Sequence, residues 1–280
     1  MLKIDSHQHF WQFDPVRDSW IAEEMSLIAR NFVPGDLLPI LKRNDIVGSV
    51  VVQTCQTEED NQFMLKLADE NSFIKGVVGW VDLRAEDIGE RLQYYKDGFP
   101  KMKGFRHVLQ AEPNDEFMLT SKFKRGISFL GDYGFTYDIL IYPQHLKHAA
   151  TLVAEFPDQK FVVDHLAKPH IKNKEIEEWK KDVEALSKYQ NVYCKVSGML
   201  TEANWYNWRT DDFTPYLDVV FDSFSVNKLM YGSDWPVCML AGGYNRALEI
   251  LQLYTSNLSH HEQDLFFGGN AIDFYNLDVE

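Results

Sequence analysis

The chain has 280 residues and carries 28 basic against 42 acidic side chains, a formal charge of −14 with histidine neutral. A field of that sign repels polyanions and argues against a nucleic-acid partner, since neutralising phosphates takes clustered Lys and Arg. At 45% apolar and 14% aromatic residues, the composition is that of a protein with a large core and excludes intrinsic disorder.

Short apolar or β-branched runs recur along the chain at residues 3–9, 46–53, 74–82, 104–109, 136–141, 160–166, 192–197 and 228–234. Segments with helical period separate them, which is the mark of βα units around a parallel sheet. The first run leads into a long connection, 11–39, rich in aromatic and charged residues. After the second, residues 59–70 form an amphipathic stretch with apolar Phe63, Leu65, Leu67 and Ala68. Beyond the sixth, residues 175–189 place Ile176, Trp179, Val183 and Leu186 at helical intervals. The seventh leads into a second long connection, 201–215. In a barrel, such connections lie over the mouth where active sites are found. Near the end, Ser259 and Glu262 have the S-x-x-E spacing of a helix-starting capping box. No linker, low-complexity tract or repeat interrupts the pattern. The expectation is an α/β fold, a single closed (β/α)8 TIM-like barrel over residues 1–280, because such a barrel takes about 250 residues as one unit.

Cys55, Cys194 and Cys238 are odd in number and widely spaced, so they suggest neither a disulfide framework nor a C-x-x-C metal site. The opening MLKIDSHQHFW has no apolar h-region, and no stretch reaches the roughly 18 apolar residues of a membrane span. A soluble cytoplasmic protein without a membrane partner is the default expectation.

The strongest chemical signal is Asp5-Ser6-His7-Gln8-His9 at the end of the first run. Residues two apart on a strand share a face, so the imidazoles of His7 and His9 can converge on one ion or one substrate oxygen. The sixth run ends Val163-Asp164-His165, where a core pair is the competing reading. The eighth ends Tyr231-Gly232-Ser233-Asp234-Trp235-Pro236; its glycine eases close backbone approach, and Asp234 alone would serve equally as a cap. The fourth gives Gly104-Phe105-Arg106-His107, and an arginine near a strand end suits a substrate carboxylate or hydroxyl cluster. Closing a barrel makes strands one and eight neighbours, which would bring His7, His9, His165 and Asp234 together.

These segments, with Asp164-His165-Leu166-Ala167-Lys168-Pro169, Lys195-Val196-Ser197-Gly198 and Gly269-Asn270-Ala271, resemble the sugar-lactonase branch of the amidohydrolase superfamily. That branch includes L-fuconolactonase, L-rhamnonolactonase and, more distantly, 2-pyrone-4,6-dicarboxylate lactonase. The resemblance spans essentially the whole chain and implies a distorted amidohydrolase-type barrel that hydrolyses a cyclic ester. Two-metal amidohydrolases usually carry a bridging carboxylated lysine on strand four, or an equivalent carboxylate, and a histidine ending strand five. Here the fifth run has no histidine, and Lys103 lies at the wrong end of the fourth. What remains, His7, His9, His165 and Asp234, suits at most one divalent ion, with zinc matching the ligand types. Related lactonases also work without a metal.

The implied chemistry uses Asp234 to deprotonate water, and His7, His9 and His165 to polarise the carbonyl directly or through zinc. Arg106, Gln53, Lys168 and Lys195 are candidate substrate contacts, and Trp11, Trp80 and Trp235 offer flat faces to a sugar ring, although core packing explains each Trp equally well. His145, His148, His260 and His261 read as solvated surface residues. The partner implied is a small sugar-derived lactone, plausibly L-fucono- or L-rhamnono-lactone, and a homo-oligomer stays open. Two rival readings are a metal-dependent non-oxidative decarboxylase of the same superfamily and a catalytically silent sugar-binding barrel.

Overall fold

The computed structural model describes residues 2–279. Eight parallel strands run in chain order: β1 (Lys3–Gln8), β2 (Ile46–Val52), β3 (Ile74–Gly79), β4 (Met102–His107), β5 (Thr136–Ile139), β6 (Phe161–Val163), β7 (Val192–Val196) and β8 (Leu229–Tyr231). Helices α1 (Pro34–Arg43), α2 (Glu58–Glu70), α3 (Ile88–Gly98), α4 (Ser121–Tyr133), α5 (Leu146–Glu155) and α6 (Glu177–Leu186) fill the first six connections. A short α7 (Met199–Glu202) and α8 (Thr214–Phe224) fill the seventh, and α9 (Tyr244–Tyr254), α10 (His260–Asp264) and α11 (Asn270–Tyr275) follow β8. This is the expected (β/α)8 barrel, with one strand in each expected run. Ser259 does cap α10, accepting from the Glu262 amide while Glu262 accepts from the Ser259 amide.

Side-chain alternation sorts the core into two layers. Ile4, Val50, Val52, Val78, Val162 and Met230 fill the barrel interior, where Phe274, Tyr275 and Leu277 join them from the end of the chain. The opposite strand faces, with Val51, Val77, Phe105, Ile139, Phe161 and Val196, pack beneath the helices.

The barrel is nearly closed rather than fully closed. β8 stops at Tyr231, and the seam to β1 is a single parallel bridge between Gln8 and Trp235. Around it, His9 N donates to Trp235 O at 2.7 Å and Asp234 N to His7 O at 2.8 Å. The carboxylate of Asp5 holds both sides, accepting from Ser233 N at 2.9 Å and His7 N at 3.2 Å. Burial pushes the Asp5 carboxyl up to about 6, against the hydrogen bonds from Ser233 and His7.

Strand ends depart most from expectation at β6. Residues 164–166, expected to finish the strand, leave it instead, and His165, Leu166, Ala167 and Lys168 all take left-handed conformations, with φ between 52° and 56°. Four consecutive non-glycine residues in that region cost roughly 1–2 kcal/mol each. Such strain persists where packing holds it, typically at functional sites. His145 also differs: it is buried, not solvated, because the Pro143–His145 turn folds it back so that Tyr142 N donates to its Nδ1 at 3.2 Å. Its Nε2 lies 3.0 Å from Asp115. His260 and His261 are exposed and His148 is half-buried.

Candidate active site

The two long connections sit at the carboxyl ends of the strands. The first folds back on itself through an antiparallel bridge between Trp11 and Phe32, and the second carries α7 and Trp205. Beneath them His7, His9, His165 and Asp234 converge as expected. The Nε2 atoms of His7 and His9 lie 3.2 Å apart. Asp234 Oδ1 is 3.4 Å from His9 Nε2, 3.9 Å from His165 Nε2 and 4.0 Å from His7 Nε2. Each imidazole is oriented by its other nitrogen. His9 Nδ1 meets the Val52 carbonyl at 2.7 Å, His165 Nδ1 meets Ser197 Oγ at 2.9 Å, and His7 Nδ1 lies 3.3 Å from Asp164 Oδ1. A donor hydrogen on Nδ1 leaves an Nε2 lone pair facing the common centre.

Burial sets the protonation states. It holds His165 at about 4 and His7 well below the ordinary imidazole value, so both are neutral at pH 7. Burial works to raise the Asp234 carboxyl, but His165, His9 and Lys168 outweigh it and hold the group below its usual value. Asp234 is therefore ionised, and only 5% of its surface is exposed.

Two glycines allow this packing. A Cβ on Gly232 would sit 2.8 Å from the Cβ of His7, the close backbone approach expected from the sequence. Gly198 has φ of 64°, and a Cβ there would sit 2.6 Å from His165 Nδ1. Gly198→Ala is expected to lower the unfolding free energy by at least ~1–2 kcal/mol, the cost of left-handed backbone alone. Denaturant titration reads this directly, and an unchanged midpoint would mean that His165 simply moves aside.

Below the histidines lies a charged layer. Arg106, Asp138, Asp164 and Lys195 follow Gly104, Thr136, Val162 and Tyr193 by two residues on adjacent strands or their ends, so all point into the barrel. Lys195 Nζ lies 2.5 Å from Asp138 Oδ2, 3.0 Å from Asp164 Oδ1 and 3.2 Å from His7 Nδ1. Arg106 donates to Asp164 Oδ2 at 3.0 Å and to the Gln53 carbonyl at 2.5 Å. Tyr275, on α11, donates to Asp138 from below. Burial lifts Asp138 to about 6, with Lys195 opposing. Burial also works to raise Asp164, but Lys195, His7 and Arg106 hold it well below the carboxylate range.

This layer corrects several expected substrate contacts. Lys195 is fully buried under His7 and lies away from the rim, with its ammonium shared between two carboxylates. Arg106 is committed to Asp164 and to the strand-two backbone. Gln53 is buried beside it, donating to the Arg106 carbonyl at 3.3 Å. Trp11 and Trp235 are each 2% exposed; Trp11 donates to the Arg30 carbonyl, and both rings pack edge-on against Phe32. Trp80 stays half-exposed, donating from Nε1 to His107 Nδ1 at 3.2 Å while His107 Nε2 meets Glu112 at 2.6 Å. Lys168 is half-buried at the mouth, 5.6 Å from the centre of the Tyr142 ring.

Sequence reasoning weighed Asp164 only as a pair with His165 and missed both Asp138 and Glu202. For Asp138 and Asp164 the available signal was the inward alternation they share with Thr136 and Val162. For Glu202, no pattern in Met199-Leu200-Thr201-Glu202 marks a turn at a barrel mouth.

Three converging imidazoles and an ionised carboxylate at the carboxyl-end mouth of a (β/α)8 barrel are the arrangement of an enzyme that activates water, with or without an ion. The chain belongs to the amidohydrolase family, whose model matches residues 4–277. It is 33% identical over 287 residues to the L-fucono-1,5-lactonase of Burkholderia multivorans, covering 99% of this chain and 96% of that protein. It is 35% identical over 284 residues to the L-fucono-1,5-lactonase of Burkholderia ambifaria, with the same coverage. A crystal structure of an amidohydrolase from Burkholderia multivorans with bound Zn matches with a TM-score of 0.95 at 34% identity, covering 99% of this chain and 100% of that one. Among the described residues, no helix is long and apolar enough to cross a membrane.

Proposed function

We infer that the protein is a hydrolase that opens the cyclic ester of a sugar-derived lactone to the aldonic acid, and that a deoxy-sugar 1,5-lactone such as L-fucono-1,5-lactone is its substrate. The observation that carries the chemistry is the ionised Asp234 facing three oriented imidazoles at 3.4–4.0 Å. The full-length likeness to two L-fucono-1,5-lactonases at 33% and 35% identity favours this reading over the decarboxylase and over a silent sugar-binding barrel.

In this mechanism Asp234 takes a proton from water as the oxygen attacks the lactone carbonyl. The resulting oxyanion forms beside the imidazoles, where His7 offers a donor when Lys195 donates to its Nδ1 and its hydrogen lies on Nε2. When the ring C–O bond breaks, the protonated Asp234 returns its proton to the leaving alkoxide, so the carboxylate is regenerated and one water is consumed. Lys168, whose charge already acts on Asp234, suits the new product carboxylate.

The donor set fits one divalent ion. Tetrahedral zinc with bonds of about 2.0–2.1 Å needs donor atoms roughly 3.3 Å apart. Among His7 Nε2, His9 Nε2 and Asp234 Oδ1 the separations are 3.2–4.0 Å. His7, His9 and Asp234 would hold the ion, with His165 outside that set at 3.9 Å from Asp234, and zinc, when bound, would polarise the carbonyl and lower the pKa of water. The site is also satisfied without one. Lys195 then donates to His7 Nδ1, and the hydrogen on His7 Nε2 bonds to His9. That second arrangement supports a metal that assists without being indispensable. A second ion has no place, because the ammonium of Lys195 already sits among His7, Asp164 and Asp138. Metal analysis after zinc loading should give at most one ion per chain; two would refute this account of Lys195.

The test of the function is an acid-release screen against aldono-1,4- and 1,5-lactones, with carbon dioxide release from hydroxybenzoates as the opposing arm. Turnover of a deoxy-sugar lactone is expected; carbon dioxide without lactone turnover would replace the reading with the decarboxylase. Cys55, Cys194 and Cys238 are unpaired thiols, which supports a reducing, cytoplasmic setting.

A further inference from the structure

At the end of α7, the turn that starts where Gly198 packs on His165, the structure holds a carboxyl group that the mechanism does not use. Glu202 lines a cleft of about 470 Å³ with His170, Lys172, Asn204, Trp205 and Tyr206, and the charge of Lys168 acts on both Glu202 and Asp234. That volume suits a small-molecule ligand. The Glu202 side chain is half-buried and makes no hydrogen bond or ion pair among the described residues. Its neighbours in the electrostatic field are Lys168, Asp234 and His170, and burial together with Asp234 raises its carboxyl. Trp205 is fixed beside it, donating from Nε1 to the Thr201 carbonyl at 2.8 Å. A half-buried carboxyl with no protein donor can accept hydrogen bonds from a ligand in the cleft. The charged layer below cannot supply that recognition, because Arg106 and Lys195 are committed to Asp138 and Asp164.

We propose that Glu202 is the residue that reads the hydroxyl groups of the lactone, accepting hydrogen bonds from ring hydroxyls in the cleft while the ester carbonyl faces Asp234 and the histidines. This rests on the lactonase reading and deepens it. It makes the preferred substrate a polyhydroxylated lactone and assigns that preference to one side chain outside the chemical step. A site built to hydrogen-bond a substrate hydroxyl discriminates strongly against the analogue lacking it.

The test compares wild type with Glu202→Gln and Glu202→Ala on six-membered lactones running from fully hydroxylated, through monodeoxy, to δ-valerolactone. For Glu202→Ala, kcat/KM on the fully hydroxylated lactone is expected to fall about 10- to 100-fold, mostly in KM, as for lost hydrogen bonds to a charged group. The loss should shrink along the series and vanish, to within about twofold, on lactones lacking the hydroxyl read. Glu202→Gln, which keeps an acceptor, should lose less. Equal losses on every lactone would overturn the proposal by placing Glu202 in the chemistry or the scaffold. No loss on any would overturn it too. Wild-type protein inactive on every lactone would overturn the lactonase reading itself, an outcome distinct from an active wild type with undiscriminating variants.

Discussion

Asp234→Asn should lose lactone hydrolysis by about 10²- to 10⁴-fold in kcat, the range expected for removing a positioned general base. The substitution is nearly isosteric. Asp234 has φ of 56°, a left-handed conformation that Asn tolerates as well as Asp, so the seam hydrogen bond from Asp234 N to His7 O is retained. Ala at the same place would add about 1–2 kcal/mol of backbone strain and confuse the result. The sign of the pH dependence follows from the charge environment. Because His165, His9 and Lys168 hold Asp234 below its ordinary value, its carboxylate stays available at every pH above about 4. An acid limb set by this base therefore lies below pH 4, and raising the pH to 9 should not rescue the variant. Stopped-flow proton release, with circular dichroism to verify the fold, checks both points. Near-normal turnover would remove Asp234 from the mechanism.

The sequence made the barrel legible because parallel strands covered on both sides are written as nearly unbroken apolar runs, such as Val50-Val51-Val52 and Phe161-Val162-Val163. The convergence of His7, His9, His165 and Asp234 was legible for the same reason, since strand ends in a barrel share one rim. What stayed hidden depends on conformation rather than on composition. Nothing in His165-Leu166-Ala167-Lys168 announces a left-handed turn, because no glycine or asparagine occurs there. Yet that turn separates His165, at the centre of the site, from Lys168 at its mouth. Arg106 and Lys195 were expected to contact the substrate because each lies near a strand end. The pleat instead points both inward, where Asp138 and Asp164 neutralise them. The overall charge of −14 thus says little about the site. At its heart, two cations and two carboxylates balance locally.

That balance makes Lys195→Met the most damaging change expected away from the mouth. The ammonium is fully buried between Asp138 and Asp164, and removing one member of a buried ion network strands the others. The expected loss is about 3–5 kcal/mol of unfolding free energy. Asp164 keeps Arg106, at 3.0 Å, whereas Asp138 keeps only the Tyr275 hydroxyl, so the penalty falls mainly on Asp138. Its folded value, already raised to about 6 by burial, rises further once the lysine that opposes burial is gone. A carboxyl whose folded pKa lies above its unfolded one contributes stability below the unfolded value and loses it as pH rises through the folded value. The deficit of Lys195→Met against wild type should therefore be larger at pH 8 than at pH 5. Adding Asp138→Asn should recover part of it, because the stranded charge is gone. Urea titrations of the three proteins at both pH values decide the matter. A deficit independent of pH, or below about 1 kcal/mol, would show that water reaches the layer and that Lys195 acts as a surface cation after all.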